Sequence, residues 1–211
     1  MRFANRREAG RLLAQKLEQY REEDTILYAL PRGGVILAAE ISRHIGASLD
    51  LVISRKIGHP MQPEYAIAAI AEDGQMVANH QELSQVNKNW LKKEMEAQKK
   101  EAARRRIFYL KDRARLNAHG KTAIIVDDGI ATGFTMKAAI LQLKEDRPKK
   151  IIVAVPVVPR STAEALRKED NEVVALDIPS DYTYLGAVGA YYDEFYQVTD
   201  QQVMQVLENL Q

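Results

Sequence analysis

One stretch limits the folds open to this chain more than any other: Ala123-Ile124-Ile125-Val126-Asp127-Asp128-Gly129-Ile130-Ala131-Thr132-Gly133-Phe134-Thr135-Met136. An apolar run ends in two adjacent acids, a short loop with two glycines follows, and a helical pattern begins. The spacing predicts a strand over Thr122 to Val126, a loop over Asp127 to Gly133 and a helix over Phe134 to Leu143. The same alternation recurs. Thr25 to Leu30 is a short apolar run broken by Pro31-Arg32-Gly33-Gly34, and Val35 to His44 reads as a helix closed by Gly46. Leu49 to Ser54 reads as a second strand, Ile151 to Val158 as an apolar strand bounded by prolines, and Glu172 to Ile178 as another. Ser161 to Lys168 is helical, with Ser161 as its expected cap and Glu164 at capping-box spacing. An amphipathic helix over 4 to 21, with Asn5 as cap, opens the chain, and a small helix from Asp200 closes it. Strands alternating with helices predict an α/β fold: a doubly wound, mostly parallel sheet.

Two segments break the rhythm. Gly58, Pro60 and Pro63 make Arg55 to Pro63 a loop, followed by two strands, Tyr65 to Ala71 and Gln75 to Ala78, joined at Asp73-Gly74. From Gln81 to Arg115 the chain is helical and highly charged. The expected organisation is a core of 1–80 and 116–200, a helical insertion or hood at 81–115, and a C-terminal helix at 200–211. Residues 92 to 115 hold ten basic and four acidic side chains, densest at Arg104-Arg105-Arg106. The pattern reads as a solvated helix with charge pairs between turns rather than an RNA-contacting face, since its only aromatics beyond Trp90 are Phe108 and Tyr109.

Composition narrows the function. A net charge of +1 argues against a globally basic nucleic-acid binder, and the absence of cysteine excludes disulfides and thiolate catalysis. No apolar run approaches membrane-spanning length and the first residues carry no apolar signal core, so a cytoplasmic protein is expected.

In an open parallel sheet, ligands sit beyond the carboxyl ends of the strands, and a helix N-terminus suits a phosphate. Gly129 and Gly133 let backbone approach an anion, and Thr132 and Thr135 add hydroxyls. Two carboxylates beside a phosphate repel it unless they bind something else. Sugar hydroxyls and Mg²⁺ are the natural candidates. A phosphate, a diol and a metal at one loop describe a phosphoribosyl group. The loop ends in neither a Walker Gly-Lys-Ser/Thr nor a dinucleotide fingerprint.

This segment resembles the motif that binds 5-phosphoribosyl-1-pyrophosphate (PRPP) in type I phosphoribosyltransferases. The resemblance implies that Asp127 and Asp128 contact the ribose hydroxyls and act in catalysis, holding Mg²⁺ mainly through PRPP and water. It implies that Gly129, Ile130, Ala131, Thr132, Gly133, Phe134 and Thr135 wrap the 5′-phosphate. Pro31, Arg32, Gly33 and Gly34 then resemble the family's pyrophosphate loop, with a cis Pro31–Arg32 peptide. Arg55 and Lys56 resemble the start of a mobile lid, in which Lys56 and Arg32 neutralise the leaving pyrophosphate and His59 and Glu64 also lie. Transfer of the phosphoribosyl group to a nitrogenous base follows as the expected activity, and a homodimer is compatible with the resemblance. Ala131 stands where enzymes for 6-oxopurines carry an additional acid, which disfavours hypoxanthine and guanine and leaves the base unidentified. In the tail, Tyr184, Tyr191 and Phe195 are candidates to stack on that base. A PRPP-sensing regulator of the same fold that binds RNA or DNA is the alternative reading.

Overall fold

The computed structural model describes residues 1–111 and 113–210, without the side chain of Glu64. Its core is a sheet of β1 (Thr25–Ala29), β2 (Ser48–Leu51), β6 (Thr122–Val126), β7 (Lys150–Val157) and β8 (Glu172–Asp177), ordered β2-β1-β6-β7-β8. All its neighbouring strands pair parallel. β1 and β6 are buried along their whole length, which is why they read as unbroken apolar runs. One face is covered by α1 (Arg6–Lys16), α2 (Gly33–Ile45) and α7 (Asp200–Glu208), packed through Leu13, Leu37, Ile41 and Val203. The other is covered by α5 (Phe134–Lys144) and α6 (Arg160–Arg167), through Met136, Ile140, Ala163 and Leu166. This is the expected α/β doubly wound architecture. Asn5 caps α1 by accepting from the N–H groups of Arg7 and Glu8, and Gly46 ends α2 in a left-handed conformation, both as the pattern predicts.

Three expectations need correction. The strand expected at Leu49 to Ser54 is two pieces: β2 stops at Leu51, and Ser54 starts β3 (Ser54–His59) in a second sheet. The loop expected at Arg55 to Pro63 is mostly the ribbon formed by β3 and β4 (Gln62–Ala71), extended by β5 (Met76–Ala78) into an antiparallel β3-β4-β5 sheet. Gly58 and Pro63 mark a bulge here rather than a loop. The register shifts on either side of Gly58, and a Cβ on Gly58 would lie 2.0 Å from the Pro63 carbonyl oxygen. Ser161 is not the cap of α6. The cap position is Pro159, and Ser161 donates both its N–H and Oγ to Asp181 Oδ1, at 3.2 and 2.8 Å.

The charged stretch forms α3 (His80–Gln85) and α4 (Lys88–Leu110), which lean on the second sheet through Trp90, Leu91 and Met95. The three consecutive arginines separate here, because successive residues turn by about 100° around a helix. Arg104 faces solvent. Arg106, 17% exposed, reaches Asp50 at 3.3 Å, Glu72 at 3.1 Å and the Leu51 carbonyl at 3.0 Å. Gln142 of α5 donates to the same Glu72 oxygen at 2.9 Å. Arg106 thus ties α4, β2 and the second sheet into one buried cluster, against the expectation of a wholly solvated helix face. Among the described residues no helix is long and apolar enough to cross a membrane.

Alanine at Arg106 strands two buried carboxylates, so unfolding free energy should fall by about 3–5 kcal/mol. Denaturant titration checks this, and a loss below about 1 kcal/mol would mean that the cluster is only packing.

Candidate active site

The strand order reverses between β1 and β6, so their carboxyl ends open a crevice. The two glycine loops of the sequence leave these strands side by side. Ala29 pairs with Val126, and the N–H of Leu30 donates to the Val126 carbonyl at 2.9 Å, so both loops start at one level. The Pro31–Arg32 peptide is cis, as the resemblance implies. Beyond it the chain presses against the second loop. A Cβ on Gly33 would lie 1.9 Å from Asp128 Oδ2, and one on Gly34 would lie 2.4 Å from the Val126 carbonyl oxygen. A side chain has no room at Gly34, and one at Gly33 would have to displace the Asp128 carboxylate.

The two acids form the crevice floor and differ in their company. Asp128 Oδ2 accepts from Arg6 Nε at 2.8 Å, and its backbone carbonyl accepts from the Tyr192 hydroxyl at 2.6 Å. Asp127 Oδ1 accepts from the Asp128 N–H at 2.8 Å. Burial, and then the neighbouring Asp128 charge, pushes the Asp127 carboxyl well above the usual carboxylate range. Burial also raises Asp128, while the Arg6 guanidinium pulls against it.

The loop that follows runs into α5 at Gly133, where φ is 79°. Among the described residues no side chain caps this helix, which leaves its first-turn N–H groups open to an anion. Ile130 is buried and pins the loop by donating its N–H to the Val157 carbonyl at 2.9 Å, while Ala131 and Thr132 face solvent. Above the floor a cavity of about 320 Å³ is bounded by Arg32, Arg55, Lys56 and Arg105, with Asp127 and Asp128 below. Larger cavities lie elsewhere, one of about 390 Å³ between α1 and α7 and one of about 680 Å³ beside Glu72, but neither touches a glycine loop.

Residues 4–193 match the phosphoribosyl transferase domain family. The chain belongs to the phosphoribosyltransferase family. Two Mycobacterium tuberculosis proteins, from strains CDC 1551 and H37Rv, are named provisionally as phosphoribosyl transferases and are each 36% identical over 98% of this chain. The chain spans about half the length of these curated relatives, 46%. Among solved structures, TT1426 of Thermus thermophilus is 39% identical with a TM-score of 0.80, covering 100% of this chain and 99% of its own. The AQ2163 protein of Aquifex aeolicus shares the fold at a TM-score of 0.53 and 11% identity, over 83% of this chain and 75% of its own.

The residues singled out by sequence divide into two groups. Arg32, Arg55, Lys56, Asp127, Asp128 and Thr135 meet at the cavity. His59 and the tail aromatics stand apart from it. His59 Nδ1 accepts from the Met61 N–H at 3.2 Å, within the β3–β4 turn, and the Glu64 side chain lies outside the described residues. Tyr191 is 3% exposed and its hydroxyl accepts from the Leu185 N–H at 3.0 Å. Tyr184 is half-buried and reaches the Ile130 carbonyl at 3.4 Å. Phe195 is half-buried with the Arg6 guanidinium 3.8 Å above its ring centre.

Sequence reasoning missed two residues, Arg6 and Arg105. Arg6 is one of several cations in a polar N-terminal stretch and meets Asp128 across 122 positions of chain. Arg105 was hidden in a charged helix, where the only signal was the run of arginines.

The raised carboxyls carry a pH signature. The native chain holds these protons more tightly than the unfolded one. Their stabilising effect is therefore complete below the usual carboxylate range and is lost as pH rises through the raised native values. Asp127→Asn should accordingly raise unfolding free energy at about pH 7, with the gain vanishing near pH 3. Denaturant unfolding at both pH values checks it, and a less stable variant at neutral pH would contradict the assignment.

Proposed function

We propose that this chain binds PRPP with Mg²⁺ and transfers the 5-phosphoribosyl group to a nitrogenous base, releasing pyrophosphate. The observation that carries the reading is the grouping at one crevice of an uncapped helix start, a cationic wall and two raised carboxyls. A ligand that carries a phosphate, a diol and a pyrophosphate has a partner for each.

The 5′-phosphate would take the N–H groups and hydroxyls from Gly129 to Thr135. Asp127 and Asp128 would accept hydrogen bonds from the ribose hydroxyls, and their rise from burial is the charge cost that such donors or a cation would relieve. The donor set suits Mg²⁺, which prefers hard oxygen ligands and commonly takes one or two carboxylates together with substrate phosphates. When bound, the metal supplies neutralising charge to the pyrophosphate oxygens.

In the reaction a ring nitrogen would give its lone pair to ribose C1. The bond from C1 to the pyrophosphate oxygen breaks, its electron pair leaves with pyrophosphate, and the proton of that nitrogen passes to solvent. Positive charge growing on the ribose ring faces Asp127 and Asp128. Negative charge growing on the leaving group faces Arg32, Arg55 and Lys56. Lys56 is exposed on the β3–β4 ribbon and makes no ion pair among the described residues, so its charge is uncommitted.

Pyrophosphate release in the presence of PRPP, Mg²⁺ and a panel of nucleobases tests the activity and finds the base together. Asp127→Asn combined with Asp128→Asn should weaken PRPP binding at least about tenfold without unfolding the chain. Unchanged affinity by calorimetry would sink the site assignment. Lys56→Ala should lower turnover by about 30- to 1,000-fold, the worth of a charge-assisted contact to a developing anion, while PRPP affinity moves only a few-fold. A fall in turnover that only tracks affinity would make Lys56 a ground-state binding residue.

A further inference from the structure

The cationic wall is only partly built from the two glycine loops and the ribbon. Arg105 comes from α4, in the stretch that interrupts the core's alternation of strands and helices, and it lines the same cavity as Arg32, Arg55 and Lys56. Its side chain is 22% exposed, whereas that of neighbouring Arg104 is 59% exposed. Arg106 fixes this arrangement. Once its guanidinium is bound between Asp50 and Glu72, the rotation of α4 is set, and the preceding residue faces the crevice.

The counterion of Arg105 is shared. Glu101 Oε1 accepts from Arg105 Nε at 2.9 Å and from Arg104 Nη2 at 2.9 Å, while Arg104 Nε bonds the other oxygen at 2.7 Å. One carboxylate therefore serves two guanidinium groups, with a net positive charge left over. Among the described residues the bond to Glu101 is the only hydrogen bond of the Arg105 guanidinium, so its two Nη groups are uncommitted. Arg55, in turn, is destabilised as a cation by burial and then by the nearby Arg105 charge. Its Nε donates to Gln98 Oε1 of α4 at 2.9 Å, so the helix holds a second wall residue in place. The wall thus crowds like charges around an open space, with Glu101 and, on Arg32, Asp200 at 3.5 Å as the only carboxylate partners among the described residues. Such crowding costs free energy unless an anion fills the space.

We propose that Arg105 is an additional pyrophosphate-binding residue and that α4 serves as a wall of the active site. The proposal rests on the PRPP reading above. On entry of the anion, the uncommitted Nη groups of Arg105 meet its oxygens, and Glu101 stays paired with Arg104 whether or not Arg105 turns away. The guanidinium fork suits adjacent phosphate oxygens better than an ammonium does.

Calorimetry with two probes separates the parts of the site: magnesium pyrophosphate for the cationic wall and ribose 5-phosphate for the loop at Gly129 to Thr135. Arg105→Gln should weaken pyrophosphate binding about 10- to 100-fold, the range for a hydrogen bond between charged groups, and leave ribose 5-phosphate within about twofold. Arg105→Lys should recover part of the loss, and Arg104→Gln should change neither probe. Unchanged pyrophosphate affinity in Arg105→Gln, beside a parent chain that binds both probes, overturns the role of Arg105 alone. Equal loss of both probes in Arg105→Gln and Arg105→Lys also overturns it, since the change would then be structural. A parent chain that binds neither probe overturns the PRPP reading, and this inference with it.

Discussion

The loop after β1 lies so close to the end of β6 that a side chain has no room at Gly34. Gly33 stands against the Asp128 carboxylate and Gly34 against the Val126 carbonyl. The contact forces two strand-to-helix corners to share a wall, and it does so because parallel strands in register bring equivalent corners to equal height. The consequences run outward. α2 begins inside the contact, at Gly33, and α1 packs along α2. That packing brings Arg6 across the mouth of the crevice to Asp128, while its other nitrogen reaches the Tyr196 carbonyl at 2.7 Å. The tail is drawn in by the same acid, through the Tyr192 hydroxyl on the Asp128 carbonyl.

The second sheet depends on the core in a different way. It rests on α5 through small side chains, Ala69 and Ala71 against Ala138, which allow close approach. Ser54 Oγ donates to the Thr135 carbonyl at 3.0 Å, so the first residue of the ribbon is fixed to the helix that follows the second glycine loop. Arg55 and Lys56 follow directly. Their position over the crevice is therefore set from below by α5, and from the side by α4 through the Arg55–Gln98 bond. The long charged helix is a structural partner of the crevice as well as a wall of it.

How far the sequence foretold this follows from the range of each interaction. The core strands other than β2 were legible because each is a short apolar run ended by proline or acid, and the order of runs implies the parallel sheet. The strand–loop–helix corner from Thr122 to Leu143 was legible for the same reason: every residue of it is local. The β3–β4 ribbon was not, because Gly58, Pro60 and Pro63 are loop signals unless one knows that a bulge accommodates them. The cap of α6 was misread because its acceptor, Asp181, lies twenty positions downstream. Arg106 and Arg105 looked like any cations on a solvated helix. Only the buried Asp50, itself an anomaly inside an apolar strand, hinted that one of them had a partner, and nothing in the local pattern said which.

The asymmetry between the two acids gives the crevice its direction. A pair of neighbouring carboxylates cannot both keep ordinary acidity in a poorly hydrated place. The structure relieves one of them: Asp128 has Arg6, 12% exposed and stacked on Phe195, whereas Asp127 feels the Lys56 charge without pairing with it among the described residues. On the wall the imbalance is reversed, with Arg32, Arg55, Lys56 and Arg105 set, among the described residues, against the carboxylates of Asp200 and Glu101. Each half could have been neutralised by a few substitutions within the chain, and the fold would have been more stable for it. The unsatisfied charges instead lie a short way apart on either side of one cavity, negative on the floor and positive on the wall. A ligand completes both only if it brings hydroxyls or a cation to the first and an extended anion to the second, and it must place them in that order along its length.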